Sequence, residues 1–147
     1  MHRLDGYPPY LPDDLRTFIL SPAIDAWVAE VDGTVAGHVA LHQRSSDAVM
    51  ALASAATGRP AEHLAVVARL AVAPDHRRQG IGRALLHAAA GGARGRALWP
   101  VLDVVARFGG AIALYEACGW RRAGEVTLRL GGKCFTELVF LGPPPGR

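Results

Sequence analysis

The segment with the clearest capacity for chemistry is Arg77-Arg78-Gln79-Gly80-Ile81-Gly82-Arg83. It follows an apolar run and precedes residues with helical periodicity, so it is predicted to be the turn that opens a helix. The first N–H groups of a helix have no partner inside it, and the helix dipole places partial positive charge there. Glycines allow a ligand to approach the backbone, and arginines add charge-assisted hydrogen bonds. The turn predicts a diphosphate site, with a glycine turn carrying solvated arginines as the alternative.

Two other phosphate-binding motifs do not fit this segment. A P-loop needs a lysine after its second glycine, and the only lysine of the chain is Lys133. A dinucleotide fingerprint needs a third small residue at the position that Leu85 occupies. The histidines are scattered, and Cys118 and Cys134 lack the spacing of zinc ligands, so no metal site is predicted.

Composition narrows the class of protein further. The sequence pI is about 9.3 and the formal net charge is only +3, so a nucleic-acid-binding domain is an alternative that rests on the pI alone. The arginines of the turn explain the basic charge better, and we expect no nucleic acid as partner. The chain has no apolar stretch of membrane-spanning length and its N-terminus has no secretory pattern. We therefore expect no membrane association and a cytoplasmic protein.

The elements that must position the turn can be predicted from periodicity and breakers. The length of 147 residues fits a single domain over residues 1–147. Asp32-Gly33 predicts a hairpin, and the near-continuous apolar run Leu64–Val72 predicts a strand buried on both faces. The predicted elements before the glycine turn are helix Asp13–Leu20, strands Ala26–Val31 and Thr34–Leu41, helix Ser45–Thr57 and strand Leu64–Val72. The predicted elements after it are a helix from Ile81, strand Val101–Ala106, helix Ala111–Cys118, and strands Val126–Leu130 and Cys134–Leu141. Gly91-Gly92 is expected to weaken or close the helix from Ile81, and Pro100 and Gly109-Gly110 are expected to bound strand Val101–Ala106.

Two segments resemble the motifs of a known family. Arg77-x-x-Gly80-x-Gly82, after a strand that ends Val-Ala-Pro, is similar to motif A of the GCN5-related N-acetyltransferases, the GNAT superfamily. Ala111-Ile-Ala-Leu-Tyr115-Glu-Ala-Cys-Gly119-Trp120 is similar to motif B, at the family's spacing. The resemblance covers about Ala26–Leu141. It implies an α/β (α+β sandwich) fold with a mixed, mostly antiparallel sheet, a central splayed parallel strand pair, and helices on both faces.

The resemblance also implies a donor and a set of binding residues. Acetyl-CoA would be the co-substrate, with its pantetheine arm in the gap beside the motif A strand and its diphosphate on the glycine turn. The acceptor would be a primary amine of a small molecule or a protein, which attacks the thioester directly. The residues expected to bind the donor are Leu70, Ala71 and Val72, through their backbone, together with Arg77, Arg78, Gln79, Gly80, Ile81, Gly82 and Arg83.

Catalytic roles follow from the same resemblance. Tyr115 matches the motif B tyrosine, whose phenol protonates or stabilises the departing thiolate; a purely packing role is the alternative. A backbone N–H of Val72 or a neighbour would hold the oxyanion. Glu62 precedes the motif A strand and is the expected general base, with His63 as a second candidate and a solvated loop carboxylate as the alternative role for Glu62.

The chain departs from the family pattern in two places. Phe108 stands where the family usually has an asparagine that helps to bind the cofactor. Only twelve residues precede the predicted helix Asp13–Leu20, which is too few for the usual strand and helix, so the first strand is expected to be absent or the chain to begin inside a longer frame. Substrate choice would then be altered or completed by a second subunit, as in a homodimer. A GNAT-like module that holds CoA and acts through a partner protein is the second hypothesis.

Overall fold

The computed structural model describes residues 2–3 and 23–146 of the chain. The predicted helix Asp13–Leu20 lies outside these residues. The strands are β1 His2–Arg3, β2 Asp25–Val31, β3 Thr34–His42, β4 Leu64–Val72, β5 Trp99–Val105, β6 Arg121–Leu130 and β7 Lys133–Leu141. The helices are α1 Asp47–Thr57, α2 Ile81–Gly95 and α3 Gly109–Ala117, and single 3-10 turns span Ala61–His63 and Pro74–His76.

Contacts divide the chain into two compact units. One contains the described part of Met1–His42 together with Val67–Gly92, and the other contains Gln43–Val66 and the described part of Ala93–Arg147. The prediction of a single domain over residues 1–147 stays a prediction. Both units contain mixed sheet, and strand β4 contributes residues to each, so the two are described in turn.

In the first unit the strand order is β1-β2-β3-β4. The β2–β3 hairpin turns at Asp32-Gly33, where φ is 51° and 79°. Positive φ at both central residues is the requirement of the predicted hairpin turn, so this prediction is confirmed. Strand β1 pairs in parallel with β2, through His2↔Trp27 and Arg3↔Val28. The first strand is therefore present, although it is only two residues long, and the alternative in which it is absent is wrong.

Strand β4 has the predicted bounds, but its two halves differ. Leu64, Ala65, Val66 and Val67 are buried, whereas the residues from Ala68 to Val72 alternate between half-buried and exposed. The prediction of a strand buried on both faces is thus correct for the first half and wrong for the second. The hydrogen-bond ladder with β5 is parallel and covers only Leu64↔Trp99, Ala65↔Pro100 and Val66↔Val101. The parallel pair that the resemblance implies is thus present, with a ladder of three residue pairs.

In the second unit the strand order is β4-β5-β7-β6, and the pairs beyond β4–β5 are antiparallel. Gly124 on β6 pairs with Val139, and a Cβ at Gly124 would meet Leu52 of α1 at 3.1 Å. The ring of Tyr115 on α3 packs against Phe140, the next residue along β7. Since successive residues of a strand point to opposite faces, α1 and α3 cover opposite faces of this sheet. The mixed, mostly antiparallel sheet with helices on both faces is confirmed here.

Helix α1 matches its prediction closely. Ser46 is its N-cap, and the side chain accepts a hydrogen bond from the Val49 N–H at 3.3 Å. Gly58 follows the helix with φ of 71°, a left-handed residue whose N–H donates to Ser54 O. A serine cap and a terminal glycine are the signals by which the helix was predicted.

Four predicted ends of helices or strands are wrong, and each had been predicted from a glycine, a proline or a short run of apolar residues. Helix α2 passes through Gly91-Gly92 to Gly95, since Ala89, Ala90 and Ala93 are buried and their packing outweighs glycine's helix penalty. Pro100 lies inside β5 as its second residue, where its carbonyl still accepts from the Gly142 N–H. Gly109 and Gly110 form the first turn of α3 instead of ending β5, and β6 begins at Arg121, five residues before the predicted Val126.

Candidate functional site

The glycine turn lies at the start of α2, immediately after β4 and the 3-10 turn Pro74–His76. The first helical hydrogen bond runs from the Ala84 N–H to Gly80 O at 3.0 Å. The N–H groups of Ile81, Gly82 and Arg83 consequently have no partner within the helix. This is the arrangement that the sequence predicted for Arg77–Arg83.

The backbone of the turn is left-handed at two alternate positions. Arg78 has φ of 66° and Gly80 has φ of 81°. Left-handed residues interspersed with ordinary ones curve the chain so that successive N–H groups point into a concavity that suits an anion. A Cβ added at Gly80 would meet no atom within 4 Å, so the space beside it is open.

The side chains of the turn also suit a phosphate ligand. Arg77, Arg78 and Arg83 are exposed, as are Gln79 and Gly80, whereas Ile81 and Gly82 are half-buried. Three guanidinium groups in seven residues place positive charge close to the free N–H groups at the start of α2. The residues present therefore fit the diphosphate of a CoA ester.

The last part of β4 presents its backbone in alternation. The Ala73 N–H donates to Ala36 O of β3 at 2.7 Å, and Ala71 O lies 3.0 Å from the position of a Cβ on Gly37, also in β3. Residues 71 and 73 thus direct their peptide groups toward β3. Because adjacent residues of a strand direct theirs to opposite edges, Leu70 and Val72 present N–H and C=O groups at the other edge. The sequence had predicted these two residues as backbone contacts.

Tyr115 lies on α3, in the second unit, and is 8% exposed. Its ring packs against Trp120 and Phe140, with centroid distances of 6.4 Å and 5.8 Å. Burial, and secondarily the charge of Asp103, raise the pKa of the phenol above its ordinary value. The hydroxyl therefore stays protonated at neutral pH, as a proton donor must, while the ring contributes to packing.

A carboxyl pair that the sequence reasoning missed lies on adjacent strands of the second unit. Glu137 on β7 is hydrogen-bonded to Asp103 on β5, and this bond, burial and the charge of Asp103 raise the pKa of Glu137 to about 8. The Ser45 hydroxyl donates to Asp103 Oδ1 at 2.8 Å. Glu137 Oε2 is buried and has no hydrogen-bond partner in the structure. The pair holds a proton at neutral pH and titrates near the range in which a general base works.

The expected base, Glu62, lies on the 3-10 turn Ala61–His63, where Glu62 and His63 are both exposed. Phe108 is 49% exposed and precedes α3 without a side-chain cap for that helix. An asparagine there could accept a hydrogen bond from the helix N-terminus, which a phenyl ring cannot do. The guanidinium of Arg107 lies over the rings of Phe108 and Phe135, 5.3 Å and 6.0 Å from their centroids.

None of the helices within residues 23–146 combines the length and apolar character needed to cross a bilayer. In the same described part of the chain, no three His, Cys, Asp or Glu side chains form a group that could hold a metal ion.

These observations define an α/β protein with a mixed sheet, one parallel strand pair beside β4, and an arginine- and glycine-rich turn at a helix N-terminus. The profile of the Acetyltransferase (GNAT) family matches residues 2–120. The chain belongs to the GNAT acetyltransferase family. No curated protein matches it in sequence.

Solved structures agree on the fold. Ribosomal-protein-S18-alanine N-acetyltransferase from Escherichia coli is 20% identical, with a TM-score of 0.64 over 92% of this chain and 79% of that one. The putative acetyltransferase yncA from Salmonella typhimurium, solved with its cofactor acetyl-CoA, is 20% identical, with a TM-score of 0.61 over 91% and 70%. Ribosomal-protein-alanine N-acetyltransferase from Brucella melitensis is 24% identical, with a TM-score of 0.60 over 78% of this chain and 65% of that one, slightly under two thirds of its length.

Proposed function

We propose that the protein is an N-acetyltransferase that transfers an acetyl group from acetyl-CoA to a primary amine of a small molecule or a protein. The observation that carries the proposal is the left-handed glycine turn at the N-terminus of α2, placed directly after the β4 edge. Family membership and the Salmonella structure with acetyl-CoA support the same donor. The acceptor stays open within the class of primary amines.

Each part of the donor has residues suited to it. The N–H groups of Ile81, Gly82 and Arg83, with the side chains of Arg77 and Arg78, would hold the diphosphate. The remaining proposed donor contacts are Gln79, Gly80, and the backbone of Leu70 and Val72. Ala71 was also expected to contribute its backbone, but its carbonyl faces β3, so it is not assigned to the donor. When bound, acetyl-CoA supplies an activated thioester, and the Val72 N–H would donate to its acyl oxygen.

Proton transfer is assigned to residues of the second unit. An amine with a pKa near 10.4 must lose a proton before it can attack. We assign that proton to Glu137 in its ionised form, which is increasingly populated as pH rises toward its pKa of about 8, rather than to Glu62 or His63, because Glu137 is half-buried beside Asp103 whereas the other two are exposed. Tyr115 would then donate its proton to the departing thiolate.

Partners and location belong to the same proposal. The Escherichia coli and Brucella structures are named for alanine acetylation of ribosomal proteins, which makes a protein N-terminus one candidate acceptor here. A small-molecule amine is the other. A cytoplasmic location is favoured by the two free cysteines, Cys118 and Cys134, since free thiols persist in reducing compartments. We propose that the chain can form a homodimer, and we propose no nucleic-acid or membrane partner.

The decisive experiment measures acetyl-CoA binding and CoA release with a panel of amines. Arg78→Glu should weaken acetyl-CoA binding at least tenfold, because it replaces a cation of the turn with an anion. Arg129→Glu, on the exposed side of β6, is the matched charge reversal and should leave binding within about twofold. Equal affinity of wild type and a folded Arg78→Glu variant would exclude the proposed donor site. Tight binding without turnover for any amine would favour the CoA-holding module.

A further inference from the structure

His38 lies on β3 and is completely buried. Its Nδ1 atom is 3.1 Å from the carbonyl oxygen of Arg69 on β4. A carbonyl oxygen can only accept a hydrogen bond, so the ring must donate, and the proton is on Nδ1. Burial lowers the pKa of His38 and outweighs the hydrogen bond to the Arg69 backbone, which raises it; the charges of Arg69 and His42 lower it further, so the ring is neutral at physiological pH. His38 is therefore a fixed neutral donor.

The residue that receives this bond has an unusual backbone. Arg69 has φ of 58°, in the left-handed region, although it is not a glycine and lies inside a strand. This conformation is unfavourable for a residue with a Cβ atom, and it persists where surrounding contacts hold it. The Arg69 side chain is exposed, so the core does not fix its position by packing. One contact that acts on its backbone is the hydrogen bond from the His38 ring on β3.

The held carbonyl also determines the direction of the next N–H group. Arg69 C=O and Leu70 N–H belong to one planar peptide group, and in a trans peptide they point in opposite directions. When His38 holds the Arg69 oxygen, it orients the Leu70 N–H away from itself. Leu70 is the first of the β4 residues whose backbone is assigned to the donor.

We propose that His38 is a positioning residue for the acyl donor, which fixes the Arg69–Leu70 peptide group and thereby the start of the donor-binding edge of β4. This role rests on the proposed function. His38 touches neither substrate nor reacting atoms in it, and acts through the backbone of β4 alone. The part of the ligand that would bind at this edge is the pantetheine arm, whose amide groups can form hydrogen bonds with the backbone of a strand.

Three substitutions at position 38 separate the hydrogen bond from the volume of the ring. His38→Asn places an N–H donor near the position of Nδ1, His38→Gln places it near Nε2, and His38→Leu removes it. His38→Leu and His38→Gln should raise the Kd for acetyl-CoA about tenfold, whereas His38→Asn should stay within about threefold. The KM for the acceptor amine should change less than twofold in all three.

Val39→Ala is the control for a loss of stability alone. Val39 is the next residue on β3, is completely buried, and points to the other face of the strand. It should lower the melting temperature by an amount comparable to His38→Leu and leave the Kd for acetyl-CoA unchanged. A His38→Leu variant that behaves like Val39→Ala in both measurements would overturn the positioning role.

A second measurement needs no ligand. Nitrogen-15 NMR of the unliganded wild type should show the His38 proton on Nδ1, and the Leu70 amide resonance should move in His38→Leu and remain near its position in His38→Asn. A proton on Nε2 would overturn the inference about His38 even if wild type binds acetyl-CoA. A wild type with the Nδ1 proton that binds no acetyl-CoA would instead refute the proposed function, and with it the donor role.

Discussion

Gly37→Ala should damage stability and donor binding together. A Cβ at this position of β3 would lie 2.8 Å from Leu85 Cδ1, 3.0 Å from Ala71 O and 3.1 Å from Ile81 Cγ2. Leu85 is completely buried and Ala71 O is backbone, so neither moves freely. Overpacking of this kind costs about 1–3 kcal/mol, which for a chain of this size lowers the melting temperature by about 3–10 °C. Because Ala71 lies between the proposed donor contacts Leu70 and Val72, and Ile81 lies in the proposed donor turn, the Kd for acetyl-CoA should rise several-fold.

The assay is thermal unfolding with and without acetyl-CoA, combined with calorimetric titration of the donor. Gly91→Ala is the matched control, since Gly91 lies in α2, is exposed, and an added Cβ meets no atom within 4 Å. It should raise stability by about 0.5–1 kcal/mol, the usual gain of alanine over glycine in a helix, with unchanged donor affinity. If Gly37→Ala were as stable as wild type and bound the donor equally well, the close approach of β3 to the donor edge would be refuted.

Two further substitutions test proton transfer. Tyr115→Phe keeps the ring contacts with Trp120 and Phe140, so stability should change little. The kcat should fall at least tenfold, while the KM for acetyl-CoA stays within twofold. An unchanged kcat would mean that Tyr115 contributes only to packing. Glu137→Gln removes a carboxyl whose pKa is raised to about 8, from an ordinary value of 4.5. The folded state binds that proton more tightly, so its contribution to stability is full below pH 4.5 and is lost as pH rises through 8. The free energy of unfolding, measured with urea, should therefore fall more between pH 5 and pH 9 for wild type than for Glu137→Gln. An equal fall in the two proteins would contradict the raised pKa.

Local signals predicted the elements whose ends are fixed by their own residues. Asp32-Gly33 specifies a turn through the φ values it tolerates, and Ser46 and Gly58 cap α1 through hydrogen bonds within a few residues. The same reasoning placed the left-handed turn before α2. Local reasoning was wrong where a glycine or proline lies inside an element that tertiary packing stabilises, as Pro100 does in β5. The free-energy cost of such a residue in a helix or strand is small compared with the packing energy of the whole element.

The Asp103–Glu137 pair could not be predicted in this way. Each carboxylate interrupts an apolar strand, which marks it as unusual, but their contact depends on the β5–β7 register that pairs Val105 with Glu137 and Asp103 with Val139. That register is a long-range property of the sheet. Glu62 was chosen instead because its position beside the motif A strand is visible in the sequence. Its exposure became visible only in the fold.

Strand β4 shows best why the donor site exceeds what local patterns reveal. The run Leu64–Val72 has the composition of an uninterrupted strand, and Arg69 has no intrinsic preference for the left-handed region. Four non-glycine residues in the described part of the chain have positive φ, and three of them, Asp32, Arg78 and Ala97, lie in turns. Arg69 lies inside a strand, just before the proposed donor edge, and Arg78 lies in the proposed donor turn. Since left-handed backbone at a non-glycine residue persists only where other contacts maintain it, its occurrence at both positions supports the proposed donor site.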